Sequence, residues 1–350
     1  MTRKKVTFAI CAVLAALVPI TLALGGNPAN MALCVACFVR DVSGSLRLHE
    51  AAIVQYMRPE IVGMIAGACI LAFATKEFKP TAGSSPMTRF FLGFIMMIGC
   101  LIFLGCPLRM ILRMAGGDLN AWVALIGFVP GILTGVFFLK RGFSLGRAYD
   151  TSKAEGLMMP IAFVALLILS VATTAFAVSV EGPGALHTPL ALSLIGGLIF
   201  GAIAQRTRLC FAGGIRDLFI VRDASGLIVP ASIFVGMLIY NLISGNFNLG
   251  FENQPIAHTE ALWNIIGMYI VGFGATLAGG CPLRQLILTG NGSSDSAVTV
   301  LGLLIGAAFC HNFGLASSAA GTTANGQIAA VVSVVILFII ALVNLKKRKA

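Results

Sequence analysis

The five-residue sequence Gly-Cys-Pro-Leu-Arg occurs twice in this chain, at residues 105–109 and again at residues 280–284. The spacing of 175 residues is half the length of the 350-residue chain. A second motif recurs at nearly the same spacing, because the segment 33–41, which contains Cys34 and ends in Arg-Asp, returns at 209–217 with Cys210. Two motifs repeated in the same order indicate an internal duplication, so both halves are expected to share one architecture.

The repeated motif also predicts a local structure. Proline lacks an amide hydrogen and has a φ fixed near helical values, so Pro107 and Pro282 fit a first helical turn and place Cys106 and Cys281 at N-caps. The thiols then lie among backbone N–H groups that, with the helix dipole, attract anions. This pattern predicts a reactive sulfur or a bound oxyanion. The alternative is a small buried apolar residue, but the duplication with its arginine favours the functional interpretation.

The composition defines the class of protein. Of all residues, 58% are hydrophobic and only 11% are charged, which indicates a polytopic membrane protein. The net charge of +11 does not indicate a nucleic-acid partner, because the Lys and Arg residues fall mostly between apolar runs, as the positive-inside rule expects. The nine cysteines do not form the spacing pattern of an extracellular disulfide framework.

Ten apolar runs are predicted to cross the bilayer, five in each half. Shorter apolar pieces at the four motif cysteines, such as Met31 to Val39 and Pro107 to Met114, predict re-entrant half-helices. The expected fold class is therefore an all-α integral membrane protein with about ten transmembrane spans and four re-entrant half-helices. The predicted spans are Val6–Leu24, Glu60–Thr75, Phe90–Leu104, Ala121–Leu139, Leu157–Val180, Thr188–Ala204, Leu227–Ser244, Leu262–Leu277, Ala297–Cys310 and Gln327–Val343.

Five spans per half is an odd number, so the second half is expected to be inverted relative to the first. We predict a first membrane repeat at 1–180, with a linker at about 140–156, and a second, inverted repeat at 181–350. The loop 245–260 has no Lys or Arg, whereas 346–349 is entirely basic, which predicts cytoplasmic termini. The first apolar run also fits a signal peptide, but its repeated position before a motif cysteine predicts that it is retained.

Half-helix N-termini that meet near the midplane, each with a cysteine at its end, predict a narrow thiol-lined path biased towards anions. In the inverted arrangement two of the cysteines approach from outside and two from inside. The motif arginines at 109 and 284 have no adjacent acid, which favours a role in binding or gating. The predicted substrate path comprises Cys106, Cys281, Cys34, Cys210, Arg109 and Arg284.

Four further residues are secondary candidates. Arg40 and Arg216 each precede an aspartate, so a structural ion pair is at least as plausible as ligand contact. Cys37 forms a C-x-x-C pattern with Cys34, as in a redox pair or half of a zinc site, but the second half has no counterpart and no metal or cofactor is expected. His311 ends an apolar span, where it either lines a path or is hydrogen-bonded at a helix break.

At Gly105–Arg109, at Leu33–Asp41, and at Gly280–Arg284 followed by the segment 311–315 (His-Asn-Phe-Gly-Leu), the sequence resembles the YeeE/YedE family of sulfur-compound transporters. It is most similar to the YedE branch, which is associated with selenium. The resemblance implies a thiosulfate-type ion passed between cysteines at half-helix ends, with Cys106 and Cys281 the strongest positions and the cysteine of the 33–41 segment next. It also implies a small cytoplasmic sulfurtransferase-like partner of the TusA or YedF type.

The leading hypothesis is a permease of the bacterial inner membrane, without enzymatic activity, for a small sulfur- or selenium-containing anion such as thiosulfate or selenite. An alternative is a membrane thiol-redox protein that uses Cys34 and Cys37 as a dithiol. A third hypothesis is a structural or regulatory membrane component with inert cysteines. The duplication favours transport, because an enzyme needs one site whereas a permease uses matching sites on both sides of the bilayer.

Overall fold

The computed structural model describes residues 3–345 and is built from α-helices. A short antiparallel ribbon joins β1 (Thr81–Ala82) to β2 (Tyr149–Asp150). The predicted basic run 346–349 lies outside the described residues, as do residues 1 and 2 at the other terminus. The helices are α1 (Arg3–Leu24), α2 (Val35–Ser45), α3 (Pro59–Ala74), α4 (Pro86–Phe103), α5 (Pro107–Ala115), α6 (Leu119–Lys140), α7 (Lys153–Ala172), α8 (Leu190–Thr207), α9 (Phe211–Val221), α10 (Ile228–Ser244), α11 (Ala261–Ala278), α12 (Pro282–Gly290), α13 (Ser294–Asn312) and α14 (Ala324–Val343).

Within residues 3–345, ten helical segments are long and apolar enough to cross a membrane. The predicted fold class, an all-α membrane protein with about ten spans, is therefore confirmed. The short helices α2, α5, α9 and α12 have only 9 to 11 residues. Their length of about 15 Å is half the thickness of a bilayer core, and their re-entrant insertion stays a prediction.

The predicted fifth span, Leu157–Val180, is too long at its C-terminal end. The helix α7 ends at Ala172. The chain beyond it is extended and bonds to the C-terminal end of α2, since the amide of Ala177 donates to the carbonyl of Ser45 at 2.9 Å. The amide of Ser179 also donates to the carbonyl of Gln55 at 2.7 Å, so hydrogen bonds hold the segment 173–180 in an extended form that its apolar composition alone did not distinguish from a helix.

The predicted half-helix Met31–Val39 is displaced. Met31 ends a 3₁₀ turn, and α2 begins only at Val35. The start is fixed by Cys34, whose Sγ accepts a hydrogen bond from the amide of Cys37 at 3.3 Å. The helix then continues to Ser45, well beyond the apolar stretch, because its charged residues are neutralised inside the protein.

Equivalent helices of the two halves make equivalent contacts. The helix α6 packs on α11, and its counterpart α13 packs on α4. Both contacts rest on glycines that let the backbones approach closely. A Cβ atom at Gly127 would overlap the carbonyl of Ile265, and one at Gly302 would overlap the carbonyl of Phe90. A second pair of equivalent contacts between the halves joins α3 to α8 and α10 to α1.

The helices α4 and α11, which occupy equivalent places in the two halves, cross in antiparallel directions. Met96 of α4 lies beside Gly274, whereas Gly99 lies beside Ile270, so residue numbers rise along one helix as they fall along the other. An inverted repeat requires such antiparallel equivalents. The division into two inverted repeats stays a prediction at this point.

Loops are exchanged between the halves as well. The amide of Asn248, in the α10–α11 loop, donates to the carbonyl of Gly116 at 2.9 Å. The amide of Lys79, in the α3–α4 loop, donates to the carbonyl of Asn291 at 3.1 Å. The two acceptors are 175 residues apart, the spacing of the repeated motif. The short helices α5 and α12 are therefore each anchored at the C-terminal end by a loop from the other half.

Candidate functional site

All four motif cysteines cap the short helices. The N-caps of α5 and α12 follow the prediction, with proline in the first turn of each helix. The caps of α2 and α9 are formed by sulfur, because Cys34 Sγ accepts from the amide of Cys37 at 3.3 Å and Cys210 Sγ accepts from the amide of Gly213 at 3.2 Å. Sulfur here takes the role that a serine or threonine oxygen has in most caps. The capping residues are Cys34, Cys106, Cys210 and Cys281.

The capping cysteines form two pairs with the same geometry. The Sγ atoms of Cys34 and Cys106, the first thiol pair, are 3.8 Å apart. The Sγ atoms of Cys210 and Cys281, the second thiol pair, are also 3.8 Å apart. Since α4 and α11 are antiparallel and lead into Cys106 and Cys281, the two pairs lie towards opposite ends of these helices. Convergence of all four helix ends on one axis stays a prediction.

A third thiol lies beside the first pair. The Sγ atoms of Cys37 and Cys34 are 2.9 Å apart, and both cysteines are buried and free. The second half has Gly213 at the equivalent position, so this C-x-x-C arrangement belongs to one half only. Cys37 and Cys34 therefore form a dithiol that has no counterpart in the second half.

Arg109 holds a positive charge beside these thiols. Its buried guanidinium donates to the backbone carbonyls of Asn30 at 3.2 Å, Ile256 at 3.1 Å and Leu104, and to Cys37 Sγ at 3.5 Å. Among residues 3–345 no ion pair involves Arg109. Neutral acceptors thus hold the arginine while its charge stays uncompensated, which favours an anion next to it.

The counterpart Arg284 is less enclosed. It is partly buried, and its Nη1 atom has no hydrogen-bond partner. Arg284 lies on an open cavity of about 390 Å³, the basic vestibule, in which four cations face a single carboxylate. This excess of positive charge would concentrate small anions. The vestibule is lined by Lys76, Glu77, Phe78, Lys79, Gln205, Arg208, Arg284 and Asn291.

Arg40 belongs to a buried ion cluster rather than to a thiol pair. Its Nη2 lies 2.8 Å from Asp41 Oδ1, and Arg58 Nη2 lies 2.7 Å from Asp41 Oδ2. Arg58 also donates to the carbonyls of Pro183 and Leu186. The structural interpretation of Arg40 is therefore supported, and the cluster fixes the extended segment that follows α7.

The other two secondary residues lie apart from the thiols. Arg216 pairs with Asp217 at 2.8 Å, but both side chains are only partly buried. The His311 ring lies 4.5 Å from the ring of His49, which in turn bonds the carbonyl of Arg40. Burial lowers the pKa of His49, so its ring is neutral at pH 7. His311 is thus a neighbour of the ion cluster.

Sequence reasoning missed Arg113. Its side chain is fully buried, pairs with Asp118 at 2.6 Å and donates to the carbonyl of Phe103 at 2.9 Å. A signal was present, because Arg109 and Arg113 are four residues apart and so share one face of α5. Asp118 also had a signal as the cap of α6, where its Oδ1 accepts from the amide of Asn120 at 2.9 Å.

Comparisons with known proteins agree with the motifs. A sequence model described as "Sulphur transport" matches residues 206–347. The chain is also similar to two proteins named thiosulfate transporter TsuA. The protein from Spirochaeta thermophila is 28% identical over 117 residues, which cover 33% of this chain and 34% of the relative. The protein from Escherichia coli K12 is 31% identical over 116 residues, or 32% of this chain and 31% of the relative.

The matched region spans about a third of the length of each curated relative. The family match includes the second thiol pair, Arg284 and His311. These matches support the predicted sulfur-transporter family over residues 206–347, whereas the selenium branch is not distinguished by them.

Proposed function

We propose that this chain, which its match over residues 206–347 assigns to the sulphur-transport family, is a permease for a small sulfur- or selenium-containing anion. The observation that carries the proposal is one constellation present in both halves. In each, two helix-capping thiols lie 3.8 Å apart, and an arginine without a carboxylate partner follows one turn later. The proposed location is the bacterial inner membrane, and the proposed activity is transport without enzymatic chemistry.

The proposed path uses the two thiol pairs in succession. The antiparallel pairing of α4 and α11 supports two inverted repeats, with one thiol pair towards each side of the membrane. Arg109 attracts the anion to the first pair, and Arg284 with the basic vestibule receives it after the second. Neither arginine is neutralised by a carboxylate, so an anion meets favourable potential at both ends.

Thiols provide the selectivity in this proposal. A thiol is a soft, weak donor and acceptor that suits the terminal sulfur of thiosulfate or the exposed selenium of selenite, whereas sulfate presents only hard, strongly hydrated oxygens. Helix N-termini attract all small anions alike and do not discriminate between them. The cytoplasmic sulfurtransferase-like partner implied by the resemblance stays a prediction.

We expect the double variant Cys106→Ser, Cys281→Ser to lose transport of the preferred ion while it still attracts small anions in general. Serine keeps the size and the hydrogen-bonding capacity but replaces a soft donor with a hard one. The measurement is uptake of labelled thiosulfate into proteoliposomes, with unlabelled selenite or sulfate as competitor. In the wild type, selenite should compete and sulfate should compete poorly. A wild-type rate in the double serine variant, or competition by sulfate equal to that by thiosulfate, would replace sulfur-specific recognition with a generic anion pathway.

The proposed topology places both termini and the linker Lys140–Lys153 in the cytoplasm, and the loop 245–260 outside. The α3–α4 loop, the linker and the end of α14 share one end of the molecule. The strand β1 of the loop pairs with β2 of the linker, and Phe143 of the linker bridges to Leu345. Reporter fusions at the C-terminus and in the loop 245–260 should report opposite sides. A C-terminus located outside the cell would remove the proposed orientation.

The redox alternative rests on the 2.9 Å separation of Cys34 and Cys37. A dithiol enzyme needs both of these cysteines, whereas the proposed relay needs Cys34 alone. The loss of function caused by replacing Cys37 therefore discriminates between the two hypotheses.

A further inference from the structure

A small polar cavity lies at the C-terminal end of α5, and Arg109 stands between it and the first thiol pair at the N-terminal end of the same helix. Its volume is about 120 Å³, which leaves room for a small anion together with water. None of the motif cysteines lines it. The polar side chains that line this cavity are Asn30, Arg113, Asp118, Asn241, Asn246 and Gln254.

Arg113 lines this polar cavity and carries an unsatisfied donor. Its Nε donates to Asp118 at 2.6 Å and its Nη1 to the carbonyl of Phe103 at 2.9 Å, but its buried Nη2 has no partner. A buried guanidinium N–H group without an acceptor is costly and marks a place where a ligand or water belongs.

Two asparagines that line the same cavity carry unsatisfied amide acceptors. Asn30 Nδ2 donates to the carbonyl of Pro255, and Asn241 Nδ2 donates to the carbonyl of Ala115 at 3.1 Å. These bonds fix the amide orientations, because an amide oxygen cannot donate to a carbonyl. The Oδ1 atoms of Asn30 and Asn241 are both buried and without partners. An occupant that satisfies all three groups must accept from Arg113 and donate to the two amide oxygens.

Asn30 links the polar cavity to the thiols. Its side chain lines the cavity, while its backbone carbonyl accepts from Arg109 Nε at 3.2 Å. Arg109 in turn contacts Cys37 Sγ, beside the first thiol pair. A solute that leaves the cavity in this direction meets Arg109 next.

We propose that the polar cavity is a binding subsite for a small, hydrated sulfur oxyanion of the thiosulfate class before it reaches the first thiol pair. This inference rests on the proposed transport function. Arg113 Nη2 donates to an oxygen of the anion, and a water of hydration bridges the anion to the two amide oxygens.

The charges around this subsite suit transient binding. Asp118 neutralises most of the charge of Arg113, and the net positive charge comes from Arg109. Burial lowers the pKa of nearby His258, so its ring is neutral at pH 7. A site on a transport path must bind strongly enough to admit the ion and weakly enough to release it.

The test measures thiosulfate binding to the purified full chain in detergent by isothermal titration calorimetry. Arg113→Lys keeps the charge but removes the forked donor, and Asn246→Phe fills the cavity from its exposed rim without touching the ion pair. Arg113→Lys should weaken binding at least about tenfold, the effect of losing one charge-assisted hydrogen bond, and Asn246→Phe should weaken it at least as much by excluding the anion from the cavity. The exposed Asn325 is remote from the cavity, and Asn325→Phe is the matched control that should bind as the wild type does.

Binding and uptake separate the two proposals. Undiminished thiosulfate binding in both Arg113→Lys and Asn246→Phe, or no binding to the wild type, would overturn the subsite. Wild-type protein that binds thiosulfate through these residues but does not carry it into proteoliposomes would retain the subsite and refute the transport function.

Discussion

Replacing either Cys106 or Cys281 with alanine should reduce uptake of the anion to below about one hundredth of the wild-type rate, the loss typical when one positioned donor is removed from a desolvated site. Each residue is half of a thiol pair with an Sγ–Sγ distance of 3.8 Å. The two pairs lie in series along the proposed path, so an intact pair cannot compensate for a defective one.

These two variants should remain folded. Although Cys106 and Cys281 occupy N-caps, neither side chain accepts a capping hydrogen bond, so alanine removes little helix stability. Cys34 and Cys210 differ, because their Sγ atoms accept from backbone amides and their loss would combine a cap defect with a transport defect. The expected effect on transport is therefore cleanest at Cys106 and Cys281.

Uptake of labelled thiosulfate into proteoliposomes measures the effect, and thermal unfolding in detergent verifies the fold. Cys11→Ala and Cys69→Ala are the matched controls, since both lie within spans and outside the repeated motifs. Equal loss in these controls would show that the motif does not mark the path. Cys37→Ala should retain transport, whereas its complete inactivation would favour the dithiol hypothesis.

Local signals explain which parts of the site could be predicted. The helix starts at Cys106 and Cys281 follow from the adjacent proline, whose geometry needs no knowledge of the rest of the fold. No proline follows Cys34, and α2 starts where a sulfur cap forms, so the apolar stretch beginning at Met31 misplaced that helix. The thiol pairing itself depends on how two short helices pack, which no local pattern encodes.

Buried charge was the least predictable feature. The pairing of Arg40 with Asp41 is adjacent in sequence, but Arg58 reaches the same carboxylate from 17 residues away. Arg113 was overlooked because it lies outside the repeated motif, with leucine at the equivalent position of the second half. Both arginines are tied to backbone carbonyls outside their own helices, so their roles appear only once the helices are assembled.

Asp41→Asn should destabilise the protein by about 3–5 kcal/mol, because it leaves two buried guanidinium groups without a counter-charge. The side chain of Asp41 is fully buried between Arg40 and Arg58. Backbone carbonyls satisfy some N–H groups of Arg58, but they carry no net charge. Asparagine keeps the size of the side chain but removes its charge and turns one of its two acceptor oxygens into an NH2 donor, which would face a guanidinium group. The cost is therefore one of charge and hydrogen bonding and not one of packing.

The duplication supplies the control for this experiment. Asp217 occupies the equivalent position and pairs with Arg216 at the same 2.8 Å, yet its side chain is 45% exposed. Asp217→Asn should therefore cost no more than about 1 kcal/mol, because water already screens the pair. Unfolding of both variants by titration with sodium dodecyl sulfate in mixed micelles compares the free energies directly. If the two variants lost equally little stability, the buried arginines would have to be stabilised by their carbonyl partners, and the first-half cluster would not depend on its carboxylate.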